Sequence, residues 1–183
     1  PGAEPVADGG YAACLLLGAW ALLDRPELDA APEALRRWLA AAALTRPGSA
    51  GGQVVLAGAP EGPAMPAVEA LARWDPLWLA GRELAERGQL RLPPTVAIAQ
   101  LIGPRAAVAE AADSLVAALQ ASGTPHERLG PLAADPESVQ VLVRVPRDRS
   151  ALLATAVRAV RATRSARKEV VVGVRMGWDG THG

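Results

Sequence analysis

Two periodicities alternate along this chain. Residues 139–145 (VQVLVRV) run polar and apolar with period two, the mark of a strand, and Pro146 stops them. Residues 150–168 then switch to helical spacing. At 100° per residue, Leu152, Leu153, Ala156, Val160 and Thr163 share one face, with Arg158, Arg161, Arg164 and Lys168 on or beside the opposite one. Residues 170–176 (VVVGVRM) close the unit as a second strand. The helix is expected to lay its apolar side on a sheet and turn its guanidinium groups to solvent.

Upstream, residues 95–103 (TVAIAQLIG) read as a strand and residues 104–122 as an amphipathic helix. Val108, Ala112, Leu115, Val116 and Leu119 form its buried face. Residues 127–133 (ERLGPLA) are a weaker strand, and Pro131 suits an edge position because it has no N–H for a ladder. From residue 95 the order is therefore β-α-β-β-α-β, the split βαβ or ferredoxin-like arrangement: one antiparallel sheet with both helices on one face.

The first half is less regular. Residues 11–23 are apolar on every side and fit a buried helix or a pair of short elements. Pro32 fits the first position of the next helix, with Glu33 in its first turn and Leu35, Trp38, Leu39 and Ala42 as its stripe. Residues 47–52 (PGSAGG) are a loop, and residues 53–58 (QVVLAG) a short buried strand. Residues 66–74 and 75–87 read as two helices. Asp75 caps the second, Pro76 follows it, and Gly88 sits past its end. Two proline-rich breaks, residues 59–66 and 92–94, divide the chain into segments 1–62, 63–94 and 95–183.

Charge changes the picture. Net charge is zero, yet residues 144–183 hold nine basic and three acidic groups (Asp148, Glu169, Asp179), against ten basic and sixteen acidic before them. An acidic body with a basic end points to a polyanion at that end. Position matters more than number here. Arginine outnumbers lysine eighteen to one and phenylalanine is absent, a pattern that GC-rich codons produce by themselves. The candidate nucleic-acid contacts are Arg144, Arg147, Arg149, Arg158, Arg161, Arg164, Arg167 and Lys168. A solvated helix face is the competing reading.

Other chemistry is sparse. No apolar run reaches the roughly 20 residues of a membrane span. Cys14 is the only thiol, so no internal disulfide forms, and it reads as a buried, inert side chain. His126 and His182 fall in loops without a carboxylate or nucleophile at an informative spacing. The glycines at 48, 51 and 52 lack the Gly-Lys-Ser/Thr of a phosphate-binding loop. Glu33, Glu69, Glu83 and Glu86 read as surface-helix acids. Trp20, Trp38, Trp74 and Trp78 read as core, while Trp178 reads equally as a base platform or a cap on the sheet edge.

The stretch PGAEP followed by GGYAACLLLGAWALLDRPELDAAPEALRRWLAAAALTRPGSAGGQVVL resembles the end of the second helicase lobe of the primosomal protein N′ (PriA) family. It is most similar to the actinobacterial, helicase-deficient branch of that family. RWDPLWLAGRELAERGQLRLPP resembles the junction to that family's C-terminal domain, Leu129-Gly130-Pro131 matches its Leu-Gly-Pro, and the last strand–helix–strand matches its close. The resemblance covers essentially the whole chain. It implies a remnant of a RecA-like lobe over 1–62, a helical linker over 63–94, and a ferredoxin-like domain over 95–183 that binds branched DNA and other restart proteins.

The family's Gln-x-x-Gly-Arg-x-Gly-Arg motif has no counterpart in residues 35–46, so no phosphate-contacting finger role passes to Arg36, Arg37 or Arg46. The resemblance places the ATP and Mg²⁺ site and the zinc cysteines upstream of Pro1, and leaves no cofactor to this chain. The expected function is thus replication restart in the cytoplasm. The chain would bind forked DNA and primosome or single-strand-binding partners without ATP-driven unwinding. The alternatives are a portion of an active 3′–5′ DNA helicase and a ferredoxin-like protein-interaction module that does not bind DNA.

Overall fold

The structure, a computed structural model, describes residues 5–58 and 65–177. The chain divides into two compact units, Pro1–Glu83 and Leu84–Gly183. Most of the break at residues 59–66 lies outside the described residues, as do Trp178, Asp179 and His182.

In the first unit β1 (Ala13–Leu16) pairs in parallel with β2 (Gln53–Leu56), from Ala13 opposite Gln53 to Leu16 opposite Leu56. Around them lie α1 (Ala19–Leu23), α2 (Ala30–Ala42) and α3 (Pro66–Arg73). Their core gathers Leu16, Ala19, Ala34, Leu35, Trp38, Ala70, Leu71 and Leu79.

Several expectations change here. The apolar run 11–23 is not one helix: Gly18, at φ 64, turns the chain between β1 and α1. Leu15, Leu17, Val54 and Val55 are exposed, so β2 is not the buried strand that its composition suggests. Cys14, Leu16 and Leu56 pack on the helices, while Leu15 and Val55, on the other face of the two strands, are left exposed. Helix α2 starts at Ala30, two residues ahead of Pro32. Of the four tryptophans assigned to the core, only Trp38 is fully buried. Trp78 packs half-buried against the cluster, and Trp20 and Trp74 are exposed. Cys14 is half-buried.

The long helix α4 (Pro76–Leu90) begins as expected, with Asp75 Oδ1 accepting from the Trp78 N–H at 2.9 Å. It does not stop at Gly88. It continues to Leu90 and ends where Arg91 takes the left-handed conformation, φ 53. The Thr95 hydroxyl braces the turn by donating to Leu92 O at 2.7 Å.

The second unit has the expected order: β3 (Val96–Gly103), α5 (Arg105–Ala121), β4 (Glu127–Ala133), β5 (Val139–Pro146), α6 (Ser150–Ala166) and β6 (Gly173–Met176). The sheet runs β4-β5-β3-β6, antiparallel throughout. This is the split βαβ topology, and the fold is α+β. Strand β4 is an edge, and its register with β5 shifts between Leu129 and Leu132, around Pro131.

Alternation along β5 sends Val139, Val141, Val143 and Val145 into one core with Ala99 and Leu101 of β3. Helix α5 adds Val108, Ala111, Ala112, Leu115 and Leu119, with Val116 half-buried. Helix α6 adds Leu153, Ala156, Val157 and Val160. Residues 170–172, read as part of the last strand, are not paired in the sheet.

Candidate nucleic-acid interface

The basic end of the sequence resolves into two populations of side chains. Pro146 closes β5, a single 3-10 turn spans Arg147–Arg149, and α6 begins at Ser150. Arg147, Arg149, Arg158, Arg161, Arg167 and Lys168 are exposed. Their tethers are light. Arg147 Nη1 donates to Pro94 O at 2.9 Å, Arg158 Nη2 donates to Thr155 Oγ1 at 3.0 Å, and Arg149 lies 3.4 Å from Asp148. Arg167 approaches Glu169 only to 3.8 Å. Among the described residues, the Arg161 and Lys168 side chains form no ion pair or hydrogen bond.

Arg144 and Arg164 behave differently. Arg144 occupies the strand face opposite the valines of β5, and so lies on the side of the sheet away from α6. Its side chain is only 13% exposed and pairs with Glu127 at 2.9 Å. It also donates to Arg91 O at 2.9 Å. Arg164, expected to face solvent, has a side chain only 12% exposed. It pairs with Glu169 at 2.8 Å, lies 3.7 Å from Glu110, and donates to Val170 O at 3.1 Å.

The reason is helix phase. The buried stripe is centred on Leu153, Val157 and Val160, and Arg164 lies only about 20° from Leu153 in projection. Leu152, expected on the sheet, is about 100° off, and both it and Thr163 are exposed. Val157, which the periodicity argument omitted, takes the buried place.

Beside the exposed cations is an open concavity of about 620 Å³, where Arg158, Arg161 and Lys168 meet Val170, Val171 and Val174. Val170 and Val171 are strongly exposed. The surface thus combines cationic heads with an apolar strip and has a single acid, Glu169, already engaged by Arg164. It offers charge-assisted donors to an anion, but no described aromatic ring to read bases.

Elsewhere, His126 lies in a loop, as expected, and is half-buried there: its Nδ1 lies 2.9 Å from Thr124 O. Glu33 is no ordinary surface acid. Hydrogen bonds from Arg36 and then Arg37 lower its carboxyl to about 2, while the same pairing raises Arg36. Both arginines sit on α2 as partners of Glu33, at 2.7 Å each. No group of three or more His, Cys, Asp or Glu among the described residues is placed to hold a metal. One thiol, Cys14, is too few for a thiolate zinc site. No helix among the described residues is long and apolar enough to cross a membrane.

These features define a split βαβ domain of α+β class that carries a cationic helix edge. The profile of the family described as Primosomal protein N C-terminal domain matches residues 88–180. The chain belongs to that family. It is 40% identical over 198 aligned residues to the "Probable replication restart protein PriA" of Mycobacterium tuberculosis (strain CDC 1551 / Oshkosh), covering 95% of this chain and 29% of the relative. It is 43% identical over 173 residues to the protein of that name from Mycobacterium leprae (strain TN), covering 86% and 25%. The chain therefore spans under a third of the length of the curated relatives it matches.

Proposed function

We propose that this chain contributes a DNA- and partner-contacting module to replication restart, and that it does not itself drive unwinding. One observation carries the reading: the exposed row Arg147, Arg149, Arg158, Arg161, Arg167 and Lys168 along the turn and outer side of α6, left with few internal partners. Cations on a helix anchored by its apolar stripe are held at fixed spacing, which suits the phosphates of forked or branched DNA. Binding through phosphates without an aromatic platform gives weak sequence preference and steep salt dependence. Arg144 and Arg164 are left out of the interface, because their guanidinium groups already brace the fold.

The primosome or single-strand-binding partners are assigned to the same end, where Val170 and Val171 offer apolar surface beside the cations. ATP, Mg²⁺ and zinc belong, on this reading, to parts of the family's proteins outside the stretch matched here, and the setting is the cytoplasm. A second reading is favoured by the exposed valines alone: a protein-interaction surface that takes no DNA.

Fluorescence anisotropy with forked and duplex DNA at several salt concentrations separates the two. The triple substitution Arg158→Ala, Arg161→Ala, Arg167→Ala is expected to weaken binding to all sequences. It should also flatten the slope of log K against log salt by about one unit for each phosphate no longer neutralised. A triple variant with the parent's affinity and slope gives the cationic row no role with DNA and leaves the protein-interaction reading.

A further inference from the structure

Strand β6 is an edge of the second sheet, and among the described residues no strand lies beyond it. The register decides which of its backbone groups are turned outward. Gly177 N donates to Ile98 O at 2.9 Å, and the pairs continue as Met176 opposite Ala99, Arg175 opposite Gln100 and Val174 opposite Leu101. Bonded and unbonded pairs alternate in an antiparallel ladder, so Arg175 and Gly177 turn their N–H and C=O groups to β3. Val174 and Met176 turn theirs away from it. Each therefore presents a donor and an acceptor at the free edge.

The other edge of the sheet is blunted. Strand β4 carries Pro131, which has no N–H, and its register slips between Leu129 and Leu132. Strand β6 has no proline, and its pairing with β3 runs without a shift from Gly173 to Met176.

The surroundings of β6 select what can occupy its edge. Val174 packs against the helix-side core and also lines the concavity that holds Arg158, Arg161 and Lys168. In a strand added beyond β6, the residue facing Val174 points its side chain the same way, toward those cations, and so does every second residue along it. Acidic side chains at these positions meet positive charge, since the one acid of the concavity, Glu169, is engaged by Arg164. A second copy of β6 would bring a like set of cations against these, so charge disfavours it.

We propose that a partner protein adds an antiparallel strand to β6. Its backbone bonds to Val174 and Met176, and acids at alternate positions lodge beside Arg158, Arg161 and Lys168. This rests on the assignment of protein partners to this end of the chain, and adds how one of them is held. Because Arg158 and Arg161 also serve as phosphate contacts on that reading, strand and DNA compete for them.

The test is fluorescence anisotropy of a labelled peptide of about six residues, alternating Glu and Val, with the whole chain and no DNA. Saturable binding below about 1 mM is expected, and none of an alternating Lys and Val peptide. Methylating the backbone nitrogens of the Glu residues, which face the edge, should abolish binding. Methylating those of the Val residues, which face away, should not. Met176→Pro removes an outward N–H and no bond to β3, as an edge strand tolerates. It should weaken the peptide by about tenfold and leave forked DNA at the parent affinity. Arg158→Ala with Arg161→Ala should weaken the peptide by a similar factor at low salt. If that pair leaves DNA binding unchanged, the phosphate reading fails while the peptide result stands. The proposal is overturned by no saturable binding up to about 1 mM, by equal binding of the Lys peptide, or by binding that survives methylation at the Glu residues. A dimer of the chain that Met176→Pro dissociates would also overturn it, by giving the edge to a second copy.

Discussion

Arg144 on β5 lies directly across from Glu127 on β4, and its Nε donates to Glu127 Oε2 at 2.9 Å. The same carboxylate oxygen pairs with Arg91 Nη1 at 2.8 Å. Through Arg144 Nη1, which also reaches Arg91 O at 2.9 Å, the sheet grips the turn that follows α4. One guanidinium thus ties an edge strand, its neighbour and the incoming chain.

Replacing Arg144 by Ala should destabilise the second unit by about 1–3 kcal/mol, the range for a largely buried group whose partners lose a charge-assisted bond. Affinity for DNA under conditions where the variant is folded should stay at the parent value. Urea unfolding and anisotropy on the same preparation check both halves. A variant of unchanged stability but weakened DNA binding would return Arg144 to the interface.

Arg164 and Arg161 make a contrasting pair on one helix, three residues apart. Arg164→Ala removes bonds to Val170 O and to Glu169, and should speed amide hydrogen exchange across 169–173 and cost about 1–2 kcal/mol. Arg161→Ala removes no intramolecular bond among the described residues and should leave melting within about 0.5 kcal/mol of the parent. Hydrogen-exchange mass spectrometry resolves the two, and the reverse ranking would refute the helix phase described here.

That phase marks the limit of what the sequence discloses. The period-two run of valines in β5 and the break at Pro146 fix the sheet from the chain alone, because burial on one face leaves a strict signal. On α6, Leu152 and Leu153 are adjacent and only one can centre the buried stripe. Choosing the pair as the anchor rotates the face and puts Arg164 in water. Starting from Val157 and Val160, whose spacing to Leu153 is helical, recovers the correct phase.

The first unit is harder to read for a different reason. Its apolar residues are partly exposed, so composition at residues 11–17 and 53–56 does not report burial.

Glu33 gives a pH signature. Its carboxyl, ordinarily near 4.5, is held at about 2 by Arg36 and Arg37. A depressed carboxylate contributes stability that is fully present above the unfolded value and is lost as pH falls through the folded one. The contribution should therefore fade between about 4.5 and about 2. The difference in urea midpoint between the parent and Glu33→Gln, followed by tryptophan fluorescence, should shrink across that window and be constant above it. A difference that persists unchanged down to the lower limit would show that the three side chains are not coupled.

Two glycines should respond to alanine in opposite directions, and the contrast tests backbone geometry in the first unit. Gly81 lies in the interior of α4, is exposed, and a Cβ there would meet nothing within 4 Å. Alanine gains helix propensity of about 1 kcal/mol at such a site, which for a chain of this size is a rise in Tm of about 2–4 °C. Gly52 precedes β2, where a Cβ would fall 1.8 Å from Arg46 O, a backbone atom with no freedom to swing aside. Gly52→Ala must push residues 46 and 52 apart, which strains the β1–β2 pairing that begins at the next residue, Gln53. Its Tm should fall, and the drop should exceed the gain at Gly81. Differential scanning calorimetry on the two single variants decides the matter, and a neutral Gly52→Ala would mean that the loop and Arg46 are not packed as described.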